Sequence, residues 1–427
     1  MKLLTVKKEF NPEHIRFVHR INIKIMESTA AQILSNKVSE MKPSATIAMA
    51  QKARNLKTKG YDIISLSLGE PDFDTPQHIV DAAKQALEDG YTRYTPVPGL
   101  VEFRNAIVEK FERDNNLIFS PDQIVVSNGA KQSIANVCQA LLNEGDEVII
   151  FTPYWVSYYE IVKYAGGVPI CVSANIDQDY KVTPDQVKKA ISHKTKAVIF
   201  SSPCNPTGSV YSFEELAALA EVLSQKDDLI IISDEIYEYI NFSGSHASIG
   251  AIDSVKDRTV TINGMSKGFA MTGWRLGYMG APAWIASACS KVQSQVTSGA
   301  ASFSQMAAAH GLKSDLSPTF EMTKAFEKRK KLVLEGLSEI PGMKLNNPMG
   351  AFYVFPDISE YFGKTNGKTI IDNSIEFCEI LLEEAHVATV AGSAFGADDC
   401  FRISYAASEK DLMEAIKRIK KTLSTYF

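Results

Sequence analysis

The chain has 427 residues, of which 45% are hydrophobic and 22% charged, and its formal net charge is −5. This balance is typical of a globular protein with one large or two medium domains. It excludes the basic surface of a nucleic-acid-binding protein, and no apolar run approaches the ~20 residues that span a bilayer.

The cysteines and histidines indicate neither a disulfide framework nor a metal site. The six cysteines are scattered without a Cys-x-x-Cys pair, and the seven histidines lack the spacing of metal ligands. Scattered cysteines favour reduced thiols inside the cell. We therefore expect a cytoplasmic protein without a metal, whose partners are small molecules rather than nucleic acid or membrane.

Residues 1–25 differ in charge from the rest of the chain. They hold six Lys/Arg against two Glu, and they lack the continuous apolar centre of a secretory signal. We expect a dispensable extension, with Met26 as a candidate true start. A disordered tail and a transit peptide are the alternatives, although a transit peptide should contain more Ser and less Glu.

The first predicted elements are a helix over 44–59, with Ser44 or Thr46 near its N-cap, and a strand over 61–68. From Pro76 to about residue 312, helical and strand patterns alternate. Predicted helices lie at 77–89, 101–115, 131–142 and 213–226, and predicted strands at 124–126, 147–152, 197–200, 229–233 and 259–262. Alternation at this spacing predicts an α/β fold with a mostly parallel sheet and helices on both faces.

The last part of the chain has a different pattern. A long charged helix is predicted over 318–338 and would connect two domains. An apolar run at 351–355, a helix near 374–385 and a last helix near 408–424 then predict a smaller α+β domain.

Chemically informative residues follow the predicted strands. The turn at 127–132, Asn205, Asp234 and Lys267 each come at or after the end of an apolar run. Ligands of open α/β sheets bind at the carboxyl ends of the strands. We therefore expect these residues to converge on one crevice.

Lys267 is the residue most indicative of chemistry. It lies among small residues, which leave room for a bulky ligand, and Arg275 follows eight positions later. A desolvated amine loses its proton more easily and can form a Schiff base, while a guanidinium suits a phosphate. This pair suggests pyridoxal 5'-phosphate (PLP) as cofactor. The alternative for Lys267 is a solvated surface lysine.

Together these segments resemble the class I/II aminotransferases, the PLP-dependent enzymes of fold type I. The resemblance extends from about residue 41 to the C-terminus and rests on segments 69–76, 127–132, 202–208, 229–237 and 263–277. Segments 41–46 and 69–76 resemble the bacterial-type aspartate aminotransferase branch, some members of which also transaminate prephenate.

The resemblance implies roles around the cofactor ring. Asp234 would pair with the protonated pyridine nitrogen, and Tyr237 and Asn205 would donate hydrogen bonds to the 3′ oxygen. Lys267 would bond to the cofactor and carry the substrate's proton. The alternatives are a helix N-cap for Asp234 and a packing role for Tyr237.

The resemblance also implies the contacts to the cofactor's phosphate and ring face. A helix would begin at Gly129, Ala130 and Lys131, and its first N–H groups would bind the phosphate. That site would be completed by Arg275 and Ser266. The remaining implied contacts come from Trp155, which would stack on the ring, and Tyr94, which would reach the neighbouring subunit's phosphate. A homodimer with shared active sites follows from the role of Tyr94. The alternatives are a plain glycine turn at Gly129 and a core position for Trp155.

The substrate contacts implied by the resemblance are Arg402, Gly69, Asn205 and Trp155. Arg402 would bind the substrate α-carboxylate as a bidentate pair, helped by the Gly69 backbone and the Asn205 side chain. The alternative for Arg402 is a buried internal ion pair.

The distal carboxylate of an acidic substrate requires a further cation. The segment 292–301, where one subgroup of the family carries an arginine, contains neither Arg nor Lys. The bacterial-type branch uses a lysine at the position of Lys131, with Ser44 and Thr46 beside it. The alternative for Lys131 is a solvated lysine at a helix start.

The resemblance implies a discontinuous domain organisation. Residues 1–40 would be an extension and arm, 41–75 with 315–427 the small domain, and 76–314 the large PLP-binding domain. The expected function is aspartate:2-oxoglutarate aminotransferase, acting by ping-pong transfer through PLP and pyridoxamine phosphate. The first alternative function is a bifunctional aspartate/glutamate–prephenate aminotransferase. Further alternatives are a PLP-dependent C–S lyase and a regulator with an aminotransferase-like domain.

Overall fold

The computed structural model describes residues 33–426. Contacts divide the chain into one unit that ends at Lys42 and another that begins at Pro43. In the described part of the first unit a short helix spans Asn36–Ser39, and no residue is buried. The expectations for residues 1–25 and Met26 lie outside the described residues.

The second unit is rich in helices. They span Ala45–Thr58, Gln77–Glu88, Val101–Asn115, Ala130–Leu141, Ser157–Tyr164, Pro184–Ala190, Phe213–Leu223, Ala283–Val296, Ser302–Lys313, Ser317–Ser338, Ser374–Glu383 and Glu409–Leu423. All the predicted helices are present, with ends that differ from the predictions by up to three residues. Within residues 33–426, no helix has the length and apolarity to cross a membrane.

A seven-stranded sheet forms the centre of this unit and confirms the α/β fold. Its strands are β2 (Ile124–Ser127), β3 (Glu147–Thr152), β4 (Val168–Ser173), β5 (Thr195–Ser201), β6 (Ile230–Asp234), β7 (Thr259–Gly264) and β8 (Gly277–Gly280). They are ordered β2-β8-β7-β6-β5-β3-β4. Strands β3 to β7 run parallel, and β8 pairs antiparallel with both β2 and β7.

The apolar runs form strands because helices cover both faces of the sheet. On one face, Ile150 and Ile232 pack with the helix Ala130–Leu141. On the other, their neighbours Ile149 and Ile231 pack with the helix Phe213–Leu223. Successive side chains of a strand point to opposite faces, so a strand buried on both faces is apolar throughout.

Smaller sheets lie outside the central one. Strands β9 (Tyr353–Val354), β11 (Val390–Ala391) and β12 (Phe401–Ser404) form an antiparallel sheet ordered β11-β12-β9, and β1 (Ile64–Ser65) pairs in parallel with β10 (Val387–Ala388). The strand prediction for 61–68 was too long, because β10 offers only two residues for pairing.

The segment around β1 shares a core with the C-terminal part of the chain. Ile64 belongs to the same apolar cluster as Phe326, Phe352 and Val387. This packing agrees with the expected pairing of 41–75 with the C-terminal residues. The domain boundaries themselves stay a prediction.

Candidate active site

A cavity of ≈ 260 Å³ lies at the carboxyl edge of the central sheet, where it is lined by Ser201 and Asp234, the last residues of β5 and β6. Of the fifteen residues predicted for a site, all except Gly129 and Tyr94 line it. They are Ser44, Thr46, Gly69, Ala130, Lys131, Trp155, Asn205, Asp234, Tyr237, Ser266, Lys267, Arg275 and Arg402. These thirteen residues therefore lie around one cavity, and their roles stay a prediction.

Lys267 follows β7 and projects its amine into the cavity. Its Nζ donates a hydrogen bond to the backbone oxygen of Gly69 and lies 5.8 Å from the ring centre of Tyr237. Removal of the amine from water lowers the pKa of Lys267 to about 8. At pH 7 about a tenth of this amine would be neutral, far more than for a lysine with its ordinary pKa, which suits a proton acceptor.

Asp234 is a buried carboxylate at the end of β6. Its Oδ2 accepts a hydrogen bond of 2.5 Å from the Tyr158 hydroxyl, and its Oδ1 accepts one of 3.3 Å from the backbone N–H of Ile236. Burial raises the pKa of Asp234 to about 6, although the hydrogen bond from Tyr158 opposes the rise. In the described residues, no α-helix begins directly after Asp234, where the chain forms a turn, so the helix-cap alternative is not supported.

The cavity also contains a pair of hydroxyl groups. The hydroxyls of Tyr237 and Tyr353 lie 2.7 Å apart, and both residues are buried. Tyr353 belongs to β9, so this contact joins the turn after β6 to the small antiparallel sheet. Tyr237 thus has a fixed orientation with its oxygen at the cavity.

One end of the cavity has the features of an anion site. Gly129 adopts φ +89° before the helix Ala130–Leu141, and an added Cβ would collide with the guanidinium of Arg275. Arg275 Nη2 donates to the backbone oxygen of Asn128 at 3.3 Å. Ser266 is buried nearby on the lining. The N–H groups of the helix start, the guanidinium and the hydroxyl are donors that suit a phosphate.

Arg402 is the largest fully buried side chain in the described structure. Its Nη1 donates to Asn205 Oδ1 at 2.8 Å, its Nη2 donates to the Ser67 backbone oxygen at 2.6 Å, and its Nε has no hydrogen-bond partner. Burial lowers the pKa of this guanidinium, which nevertheless remains charged. Among the described residues no carboxylate pairs with Arg402, which argues against the internal ion pair and leaves a buried charge available to an anion.

Lys131 provides a second cation at the opening of the cavity. Its Nζ lies 4.9 Å from the ring centre of Trp155. Desolvation, with a smaller contribution from Arg275, lowers the pKa of the Lys131 amine. Across the lining, the Ser44 and Thr46 hydroxyls lie 2.9 Å apart. Lys131 is exposed in the single chain, and its role toward a substrate stays a prediction.

Two predicted site residues lie outside the lining of the cavity. Gly129 lies so close to Arg275 that an added Cβ would collide with the guanidinium. Tyr94 is 99% exposed in the single chain and does not reach the cavity. The role of Tyr94 toward a second subunit stays a prediction.

The cavity lining also contains residues that were not predicted from the sequence, among them Tyr158, Tyr353 and Thr272. Tyr158 donates to Asp234, Tyr353 contacts Tyr237 and lies 4.5 Å from the Arg402 guanidinium, and Thr272 donates to Glu70. Tyr158 could have been found from its spacing, since it follows Trp155 by three residues at a helix start. For Tyr353 the chain offers no such local signal.

The donor set fits PLP. A buried carboxylate with a raised pKa suits a cationic ring nitrogen, and the helix start with Arg275 suits a phosphate. The Lys267 amine lies in the same cavity, as a bond to the cofactor's carbonyl carbon requires. The fold and the site together define a PLP-dependent transaminase.

The comparisons with known proteins agree with this class. Residues 61–419 match the model of the family described as aminotransferase class I and II, and the chain belongs to that family. Enzymes of this family use PLP.

The chain is similar to proteins from several bacteria. It is 48% identical to an aspartate aminotransferase from Bacillus sp. (strain YM-2), over 91% of this chain and 99% of the relative. It is 46% identical to an aspartate/prephenate aminotransferase from Nitrosomonas europaea, over 92% and 100%. The crystal structure of the Rhizobium meliloti aspartate aminotransferase superposes with a TM-score of 0.90 at 40% identity, covering 92% and 99%.

Proposed function

We propose that the protein is an aspartate:2-oxoglutarate aminotransferase that transfers the amino group through PLP and pyridoxamine phosphate in ping-pong fashion. The observation that carries the specificity is that the cavity holds two further cations, Arg402 and Lys131, besides Lys267 and Arg275, which would serve the cofactor. The contacts of Arg402 and Lys131 in the described structure go to an amide, a backbone oxygen and an aromatic ring rather than to a carboxylate. Two cations match the two carboxylates of aspartate, glutamate and their keto acids. The names of the relatives support the same substrates and also a bifunctional aspartate/prephenate enzyme.

The residues around the ring would hold and tune the cofactor. Bound PLP withdraws electrons from the substrate α-carbon, which makes the α-proton acidic. Asp234 would hold the ring nitrogen in its charged form, and Trp155 would stack on the ring. Tyr237 and the Asn205 amide would donate to the ring oxygen. The acceptor oxygen of Asn205 already bonds to Arg402, which leaves its NH₂ group available as a donor.

Lys267 and Arg402 would act on the substrate itself. The Arg402 guanidinium would bind the α-carboxylate, supported by Asn205 and by the backbone at Gly69. This contact orients the Cα–H bond toward Lys267. The neutral Nζ of Lys267 would then accept the α-proton and return it, a role for which a pKa of about 8 is suitable.

Lys131 would bind the distal carboxylate of the substrate, with the hydroxyls of Ser44 and Thr46 beside it. A lysine is a point charge on a flexible stem, so it imposes less geometry than an arginine fork. It could therefore accept the ring carboxylate of prephenate as well as that of aspartate. This flexibility is the physical reason for the bifunctional alternative.

Lys131→Ala should selectively impair dicarboxylic substrates. We expect kcat/KM for aspartate and glutamate to fall by a factor that corresponds to roughly 1.5–3 kcal/mol, the range for a charged hydrogen bond. Phenylalanine, which has no second carboxylate, should change far less, and prephenate should suffer with the dicarboxylates. The measurement is kcat/KM for these four substrates in the wild type and the variant.

The matched control is Lys256→Ala, which removes an exposed lysine paired with Asp253 outside the cavity. It should leave all four values unchanged. An equal loss for all four substrates in Lys131→Ala would show that Lys131 serves only the cofactor phosphate, and the proposed specificity would be wrong.

We also propose that the protein is a homodimer with shared active sites and that it is cytoplasmic. The two-domain division given above is likewise proposed. The dimer rests on the role that the resemblance implies for Tyr94, whose side chain is 99% exposed and so accessible to a partner. All six cysteines are free, which supports a reducing compartment. Sedimentation of the full chain and cell fractionation test these points. A fully active 47.0 kDa monomer would contradict the shared site.

A further inference from the structure

A second group of buried polar side chains contacts the turn that carries Asp234 and Tyr237. Glu235 and Glu238 are both buried, and the fully buried Lys110 ammonium pairs with Glu238. The Asn115 amide donates to Glu235 at 3.2 Å and to Glu238 at 2.8 Å, and His246 Nε2 lies 2.8 Å from Glu235. None of these five residues lines the active-site cavity. We call Lys110, Asn115, Glu235, Glu238 and His246 the buried cluster.

The buried cluster is a network of ion pairs and hydrogen bonds rather than a cation site. Glu235, Glu238 and His246 offer ligand atoms within 4.8 Å of one another. However, the Lys110 ammonium and the Asn115 amide already supply positive charge and donors to both carboxylates. Burial opposes protonation of His246, but the Glu235 carboxylate raises the pKa of that imidazole overall.

The residues of this turn are divided between the cavity and the buried cluster. Asp234, Ile236 and Tyr237 line the cavity, whereas Glu235 and Glu238 belong to the buried cluster. The turn is also fixed through its backbone, because Glu235 N–H donates to the Ile262 oxygen at 2.8 Å. Movement of either glutamate would therefore move the two side chains that face the cavity.

The energetics favour a geometric role for the buried cluster. Buried ion pairs seldom stabilise a fold more than well-packed apolar residues would, because each charge loses its hydration. Directional contacts can instead specify one arrangement of the backbone. Here they connect the turn to Lys110 and Asn115, which belong to the last two turns of the helix Val101–Asn115.

We propose that the buried cluster is a positioning device that holds Asp234 and Tyr237 at the geometry in which they contact PLP. The proposal rests on the cofactor roles proposed above for those two residues. The members of the buried cluster are positioning residues, since none of them reaches the cavity.

A double-mutant cycle on cofactor affinity tests the proposal. PLP is titrated by absorbance into the cofactor-free wild type, Glu235→Gln, Asp234→Asn and the double variant. We expect Glu235→Gln alone to weaken PLP binding by about fivefold or more, within the range of interaction energies for residues that share one network. In the Asp234→Asn background the same substitution should cause little further loss of PLP affinity. His246→Gln, which is not adjacent to Asp234 in sequence, should behave in the same way and serves if Glu235→Gln does not fold.

The control separates positioning from general stability. Thr259→Val removes a buried hydrogen bond of 2.9 Å to Val255 at the amino end of β7, away from the cavity. It should lower the melting temperature without changing PLP affinity. Equal losses of affinity in Thr259→Val, or additive losses in the cycle, would overturn the positioning role. If Asp234→Asn itself leaves PLP affinity unchanged, the cofactor role of Asp234 and this proposal both fail.

Discussion

Lys267→Ala should still bind PLP noncovalently but lose transamination by about 10⁴-fold or more. The substitution removes both the amine that bonds to the cofactor and the base that moves the α-proton. The remaining contacts to the phosphate, the ring nitrogen and the ring face do not involve Lys267, so binding should persist. The measurement is turnover with aspartate and 2-oxoglutarate, together with PLP content after gel filtration.

Covalent attachment provides the control for this variant. After borohydride reduction, mass spectrometry should find the cofactor attached to Lys267 in the wild type and no attached cofactor in the variant. Near-normal turnover in Lys267→Ala, or attachment of the cofactor to another lysine in the wild type, would show that the assignment of Lys267 is wrong.

Asp234→Asn should change activity and the stability of the cofactor-free protein in opposite directions. Without the carboxylate the ring nitrogen loses its counter-charge, so we expect weaker PLP binding and slower α-proton removal, by several orders of magnitude. Asp234→Glu, which keeps the charge, should keep partial activity. An Asp234→Asn enzyme as active as the wild type would contradict the role of Asp234.

The stability effect follows from the pKa of Asp234, which burial raises to about 6 from the ordinary value of roughly 3.9. Between these values the folded protein binds more protons than the unfolded chain, so the stability of the cofactor-free protein falls as pH rises through this window. Above about pH 6 the ionised Asp234 lowers the stability of the cofactor-free protein by the full amount, about 3 kcal/mol. Asn keeps an acceptor for Tyr158 without the charge.

Melting curves of the two cofactor-free proteins test this second effect. Near pH 7.5 the Asp234→Asn protein should melt at a higher temperature than the wild type, and the difference should shrink as pH falls toward 4. A lower melting temperature for the variant at every pH would mean that another group already neutralises Asp234 in the absence of the cofactor.

The sheet was predictable because its strands are apolar on both faces. Runs such as Ile230 to Ile232 are buried throughout, and the polar residue that ends the run, Asp234, necessarily lies at the carboxyl edge. The same reasoning overestimated the strand at 61–68. An apolar run indicates burial, but the length of a strand also depends on the partner available for pairing, here only Val387 and Ala388.

Contacts between distant segments were beyond the reach of local patterns. Tyr353 meets Tyr237 only because the small antiparallel sheet packs against the turn after β6. Lys110 likewise belongs to a helix whose charged residues suggest a solvated face, yet it is fully buried against Glu238. Such burial depends on partners that are more than one hundred residues away in sequence.

The most direct test of the central claim is the half-reaction with aspartate as the only substrate. Because an aminotransferase retains the amino group on its cofactor, the PLP-loaded protein should release a single equivalent of oxaloacetate per site and then stop. Addition of 2-oxoglutarate should restore turnover and yield glutamate. Continuous release of ammonia and a keto acid without any acceptor would instead identify a lyase-type enzyme and contradict the account.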